Sequence, residues 1–167
     1  MKLKVCGMRS PDNIASLSAL APDYMGFIFW EDSKRFVSDA TPQLPHSIKK
    51  TGVFVDASAE YILDTIANHQ LQALQLHGKE SPDFCKKLKA TGLEIIKAFP
   101  VGKSFEFSDL EAYESVCDYF LFDTKGELPG GNGTRFDWSI LRDYPAAKPF
   151  FLSGGIGPED QNAIASI

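Results

Sequence analysis

The chain has 167 residues, enough to bury one substantial hydrophobic core, and its composition does not call for a second domain. A net charge of −5 without any basic block argues against nucleic acid as a partner, and no run approaches the roughly 18 apolar residues that a membrane span needs. Three cysteines without metal-like spacing, and no leader-like N-terminus, indicate a reduced cytoplasmic protein.

Seven short apolar runs recur along the chain, and each ends in a polar or glycine-rich loop. They span residues 3–8, 24–30, 52–56, 73–77, 94–100, 119–123 and 149–156. Several are continuously apolar rather than alternating, which is typical of parallel strands covered on both faces. The runs therefore predict seven parallel strands.

Helix signals separate these runs. A cap-like residue, a proline and an acid follow one another at Ser10, Ser81 and Gly157, and residues 62, 63, 66 and 67 predict one core-facing helical stripe. A repeat of about 20–30 residues is typical of the (β/α)8 TIM barrel. We therefore predict a single barrel domain over residues 1–167. Only seven of its eight units are counted, and an open doubly wound sheet is the alternative, although its GxGxxG fingerprint is missing.

Two of the runs end in groups that can carry protons, Cys6 and Asp123. Since parallel strands direct their carboxyl ends to one rim, these two groups are predicted to converge there. A thiolate can act as a base. Desolvation beside an apolar interior would raise the pKa of Asp123 and suit a general acid. The alternatives are a small buried cysteine and an aspartate that caps its loop or pairs with Lys125.

Three further features are candidates for substrate binding. Gly154 and Gly155 follow the last strand and precede Pro158, so that bare amides and a helix start could hold a phosphate, with a simple tight turn as the alternative. Arg35 could fork onto a carboxylate, or be an ordinary surface arginine. His77 could orient substrate or satisfy a loop carbonyl. Glycines in the loop 126–136 would let it close as a lid.

Taken together, the motifs resemble the phosphoribosylanthranilate isomerase family of tryptophan biosynthesis. The resemblance covers the whole chain in family order, on Lys4-Val-Cys-Gly-Met8 with Asn13, Gly26-Phe-Ile-Phe29, Arg35-Phe-Val37, Gly52-Val-Phe-Val55, Gln75-Leu-His-Gly78, Leu121-Phe-Asp123, Gly130-Gly-Asn-Gly133 with Phe136-Asp-Trp138, and Leu152-Ser-Gly-Gly-Ile156.

The resemblance implies a TIM (β/α)8 barrel that catalyses the Amadori rearrangement of N-(5-phosphoribosyl)anthranilate to 1-(2-carboxyphenylamino)-1-deoxyribulose 5-phosphate. It further implies that Cys6 is the general base, that Asp123 is the general acid and that Arg35 lies near the anthranilate carboxylate. The family uses neither a metal nor an organic cofactor. The implied partner is this small molecule, bound by a monomer or a homodimer, without nucleic acid or membrane.

The chain departs from the family pattern in three places. Lys34 replaces a proline, and Thr134-Arg135 stands where many relatives carry a lysine in the lid. An eighth strand and helix, with a further phosphate loop, are missing, so we expect the sequence to be C-terminally incomplete. An inactive or binding-only remnant of a phosphosugar barrel is therefore the alternative function. A neighbouring indole-glycerol-phosphate synthase is disfavoured because strand-end lysines and glutamates are missing where that chemistry needs them.

Overall fold

The computed structural model describes residues 1–102, 104–126, 135–145 and 147–167, and these form one sheet with helical connections. All seven predicted strands are present, parallel and in chain order across the sheet, which confirms the predicted architecture. They are β1 (Lys4–Cys6), β2 (Tyr24–Ile28), β3 (Lys49–Phe54), β4 (Ala73–Leu76), β5 (Glu94–Val101), β6 (Tyr119–Thr124) and β7 (Phe150–Leu152).

The connections are less regular than the repeat suggests. The α-helices are α1 (Pro11–Ser18), α2 (Ala59–His69), α3 (Pro82–Lys89) and α4 (Gln161–Ala165), while the segments Phe107–Tyr113, Trp138–Asp143 and Pro158–Asp160 are 3₁₀-helical. Ser58 and Ser81 cap α2 and α3 by accepting a hydrogen bond from the amide three residues on. At Pro158, where the sequence predicts the start of a helix, the structure has a short 3₁₀ turn followed by a five-residue helix.

The sheet curls so that one of its faces closes on itself. Register partners in parallel strands point to the same side, and on this inner side Tyr24 of β2 packs edge-on against Phe151 of β7, with ring centroids 5.2 Å apart. The two residues belong to one apolar cluster with Ala73, Ile96, Ala98 and Leu121. Strands that are far apart in sheet order therefore face each other across a common interior.

The larger hydrophobic core lies between the outer face of the sheet and the helices. Cys85 and Leu88 of α3 are buried there. The predicted stripe of α2 is only partly right, because Ile62 is buried while Leu63 is 45% exposed. Thr65 is buried in its place, with its hydroxyl donating to the Tyr61 carbonyl, so the helix is rotated relative to the apolar pattern.

Charged and aromatic side chains fill the interior at the amino ends of the strands. Lys49 of β3 pairs with Glu94 of β5 at 2.7 Å. Lys2 donates to the Tyr119 hydroxyl at 2.6 Å and to that of Tyr24 at 3.4 Å. This end of the interior is therefore occupied by these side chains.

Candidate active site

Cys6 ends β1, and its half-buried thiol lies against Gly26 of the neighbouring strand. A Cβ on Gly26 would stand 2.8 Å from Cys6 Sγ and 3.0 Å from Lys4 Nζ. The thiol and the ammonium group therefore lie no farther apart than the sum of these two distances. The absence of a side chain at Gly26 is what leaves room for both, and it places a cation beside the thiol.

Arg35 reaches the same strand end from the loop after β2. Its Nη1 donates to the Cys6 carbonyl oxygen at 3.4 Å, and a Cβ on Gly7 would collide with the guanidinium. Gly7 has φ +85°, a conformation that glycine adopts without strain. Arg35 and Lys4 are thus two cations that lie beside Cys6, while Arg9 donates to the Lys34 carbonyl.

Asp123 lies on the inner side of β6 and is only 5% exposed. Burial raises the pKa of this carboxyl, but hydrogen bonds from His77, the Thr124 amide and the Ser153 hydroxyl outweigh it and hold the pKa below the usual aspartate value. The expectation of a raised pKa is therefore wrong. The position of Asp123 after an apolar run indicates that the carboxyl is buried, but it does not indicate which hydrogen-bond donors surround the carboxylate.

His77 follows β4 and links Asp123 to a second polar side chain. Its Nε2 lies 3.2 Å from Asp123 Oδ2, and its Nδ1 lies 2.6 Å from the amide nitrogen of Gln75. His77 thus contacts a carboxylate rather than a loop carbonyl. Asp123 thus pairs with this ring, whereas the side chain of Lys125 packs beside Gly102.

Cys6 and Asp123 lie on the same inner side of the curled sheet, each at the carboxyl end of its strand. Cys6 is the last residue of β1, and Asp123 is the next-to-last residue of β6. At the amino ends, Lys2, which precedes β1, donates to the Tyr119 hydroxyl of β6. The carboxyl ends of both strands therefore border the same interior.

The glycine loop after β7 packs against Asp123. Gly154 and Gly155 both have positive φ, and a Cβ on Gly154 would stand 2.8 Å from Asp123 Oδ1. The amide of Gly157 donates to the Asp160 carboxylate at 2.8 Å. The loop thus supports the carboxyl directly, a role that the sequence pattern did not reveal.

Part of the predicted lid lies outside the described residues. These are residues 127–134, which include Gly130-Gly-Asn-Gly133 and Thr134. The following Arg135 pairs with Asp160 at 2.5 Å and lies over the ring of Trp138. The far end of the loop is therefore held against the connection that follows β7.

Sequence reasoning missed Lys4, Gln75 and Ser153. Lys4 and Gln75 lie on β1 and β4, and Ser153 directly follows β7. Each is two residues from an inner-facing position, so the period of two could have found them once the inner face was known. Among the described residues, no group of three or more His, Cys, Asp or Glu side chains could hold a metal ion. No helix in that part of the chain is long and apolar enough to cross a membrane.

Comparison with known proteins gives a consistent result. Residues 3–166 match the family model described as N-(5'-phosphoribosyl)anthranilate (PRA) isomerase. The N-(5'-phosphoribosyl)anthranilate isomerase of Parabacteroides distasonis is 49% identical over 170 residues, which cover 98% of this chain and 77% of that protein.

Solved structures agree with this result. The crystal structure of the phosphoribosyl anthranilate isomerase of Thermotoga maritima superimposes with a TM-score of 0.84 at 32% identity, covering 100% of this chain and 83% of that one. A second isomerase structure, in complex with reduced 1-(o-carboxyphenylamino)-1-deoxyribulose 5-phosphate, gives a TM-score of 0.81 at 30% identity and covers 99% and 81%.

Proposed function

This chain belongs to the N-(5'-phosphoribosyl)anthranilate isomerase family, and on that premise we propose that it isomerises N-(5-phosphoribosyl)anthranilate to 1-(2-carboxyphenylamino)-1-deoxyribulose 5-phosphate in tryptophan biosynthesis, with Cys6 as general base and Asp123 as general acid. The reaction opens a furanose ring and moves a carbonyl from C1 to C2. It therefore needs one group that gives a proton and one that takes a proton, on the same sugar.

Asp123 protonates the ring oxygen while the C1–O bond breaks and the nitrogen lone pair forms a C1=N bond. The Cys6 thiolate then removes the proton from C2, and the C–H electron pair forms C1=C2 as the nitrogen recovers its lone pair. The resulting enolamine becomes the ketone when C1 takes up a proton and the C2 hydroxyl releases one. Protons and electrons balance, and the step needs no oxidant.

We assign the two charged ends of the substrate, its carboxylate and its phosphate, to groups that lie beside Cys6 and Asp123. Arg35, held at the Cys6 carbonyl, takes the anthranilate carboxylate, since a guanidinium can bind it through two parallel hydrogen bonds. Gly154 and Gly155, next to Asp123, offer amides to the phosphate. His77 orients the acid rather than the sugar.

One observation carries this assignment above the others. Cys6 and Asp123 both lie on the inner face at the carboxyl ends of their strands, and Lys2, just before β1, contacts Tyr119 of β6 at the amino ends. This arrangement supports the proposal that one small substrate at the carboxyl end reaches both groups.

Turnover of single variants tests the proposal, with the fluorescent product read directly. We expect Cys6→Ser and Asp123→Asn each to lower kcat by about 10²–10⁴ with little change in KM, because each group acts on the transition state. Cys85→Ala and Asp118→Asn are matched controls at positions away from the carboxyl end. They remove a buried thiol of α3 and a carboxylate that binds Lys89.

Turnover close to that of the parent in either variant would remove that residue from the mechanism. A folded parent without isomerase activity would favour the binding-only alternative. We further place the protein in the cytoplasm, which its three free cysteines support. Its partner is the small-molecule substrate, bound by a monomer or a homodimer.

A further inference from the structure

Gln75, His77 and Asp123 form a line of polar side chains along the inner face. The Gln75 amide nitrogen lies 2.6 Å from His77 Nδ1, and His77 Nε2 lies 3.2 Å from Asp123 Oδ2. Gln75 is 3% exposed and Asp123 is 5% exposed, so water has little access to either end of the line. The two ring nitrogens of His77 therefore have Gln75 and Asp123 as their partners.

The His77 backbone is fixed from the outer side of the sheet. The buried Lys97 ammonium donates to the carbonyl oxygens of Leu76 at 3.3 Å and Gly78 at 2.8 Å, and it pairs with Glu80 at 3.2 Å. Glu80 in turn accepts from the Gly78 amide. With the turn held in this way, the proton distribution on the ring is set by Gln75 on one side and Asp123 on the other.

The orientation of the Gln75 amide decides which ring nitrogen carries a proton. If the amide nitrogen faces Nδ1, that atom accepts, the proton lies on Nε2, and Asp123 is a carboxylate that accepts it. If the amide oxygen faces Nδ1, that atom carries a proton and donates it. The hydrogen bond between Nε2 and Asp123 then requires one additional proton, which lies either on Nε2 or on the carboxyl group. Only the second arrangement holds a proton that Asp123 can give away.

The other end of the amide gives no support to the orientation in which the nitrogen faces Nδ1. In that orientation Gln75 Oε1 is buried without a hydrogen-bond partner among the described residues. The choice therefore depends on the ring, and the charged groups around it are Asp123 on β6 and, behind the turn, Lys97 and Glu80.

We propose that Gln75 is a positioning residue. It presents its amide oxygen to His77 Nδ1 and so keeps on the His77–Asp123 pair the proton that is used in ring opening. The inference rests on the proposed role of Asp123 as the general acid. The proton passes from Asp123 to the ring oxygen as the C1–O bond breaks. Solvent returns one proton to the pair, equal in number to the one that the C2 hydroxyl of the enolamine releases.

The test compares the parent, Gln75→Met and Gln75→Glu by long-range ¹H–¹⁵N spectra of ¹⁵N-histidine-labelled protein at pH 7. Variants of His46 and His69, the other two histidines, assign the signals. We expect a protonated Nδ1 on His77 in the parent and in Gln75→Glu, whose carboxylate can only accept. In Gln75→Met the Nδ1 proton should be lost, with kcat about 10- to 100-fold lower and KM unchanged.

Unchanged His46 and His69 signals would show that Gln75→Met is folded. The same Nδ1 signal in Gln75→Met as in the parent would overturn the proposal, as would an altered signal with parental kcat, or loss of the Nδ1 proton in Gln75→Glu. The spectra do not depend on turnover. If Asp123→Asn keeps full activity, the proposed role of Asp123 as general acid fails, whereas the His77 signal still reports the arrangement of Gln75.

Discussion

Replacing Gly26 by alanine would perturb the site through a single methyl group. The new Cβ would stand 2.8 Å from Cys6 Sγ and 3.0 Å from Lys4 Nζ. Nonbonded carbon contacts are most favourable at about 3.5–4.0 Å, so the thiol has to move by about 1 Å. A displacement of about 1 Å can cost about 10² in rate, and overpacking costs about 1–3 kcal/mol in stability. We therefore expect Gly26→Ala to fold and to lose about 10² in kcat.

Gly52→Ala is the matched control, because it adds the same methyl group to the neighbouring strand. Its Cβ would meet Leu71 at 2.5 Å and Phe54 at 2.7 Å on the outer face, away from the thiol. Thermal unfolding measures the stability of both variants, and product fluorescence measures kcat. The reasoning fails if Gly26→Ala keeps the parental kcat, or if Gly52→Ala loses as much activity at equal stability.

Three further variants test separate parts of the structure. Because hydrogen bonds hold the pKa of Asp123 below its usual value, the ionised form stabilises the fold above about pH 4, and this contribution is lost as the pH falls through the lowered pKa. Urea unfolding of Asp123→Asn should show a weaker decline in stability in acid, and a decline as steep as the parent's would contradict this. Lys97→Met should cost about 3–5 kcal/mol in thermal unfolding, because it leaves the buried Glu80 carboxylate unpaired, and an unchanged melting temperature would refute that pairing energy. Gly154→Ala should lower kcat more than Gly92→Ala, since both have positive φ but only the first would press on Asp123. Equal kcat values for these two would contradict that contact.

The seven strands were predictable because their sequence signal is local. A strand covered on both faces needs a continuous apolar run, as in residues 24–28, which are all buried. The prediction of β3 missed its first residues, Lys49 and Lys50, because their charged side-chain ends do not fit the pattern of an apolar strand. Lys49 pairs with Glu94 inside the curl, and Lys50 donates to the Thr41 hydroxyl on the outer side.

For the candidate site, the sequence predicted only which residues lie at the ends of strands. Cys6 and Asp123 stand out because each ends an apolar run, and parallel strands send such ends to one rim. The lowered pKa of Asp123 was not predictable, since it depends on His77 and Ser153, which follow two other strands, β4 and β7. Likewise, the place of Lys4 beside the thiol follows from the missing side chain of Gly26 on the next strand.

The most direct test is a crystal structure of this protein with reduced 1-(o-carboxyphenylamino)-1-deoxyribulose 5-phosphate, the compound bound in one solved relative. We predict Cys6 Sγ beside C2 and the Asp123 carboxyl beside the oxygen released by ring opening, each at about 3–3.5 Å. A complex in which either side chain points away from the bound sugar would contradict the pairing of this thiol and this carboxyl.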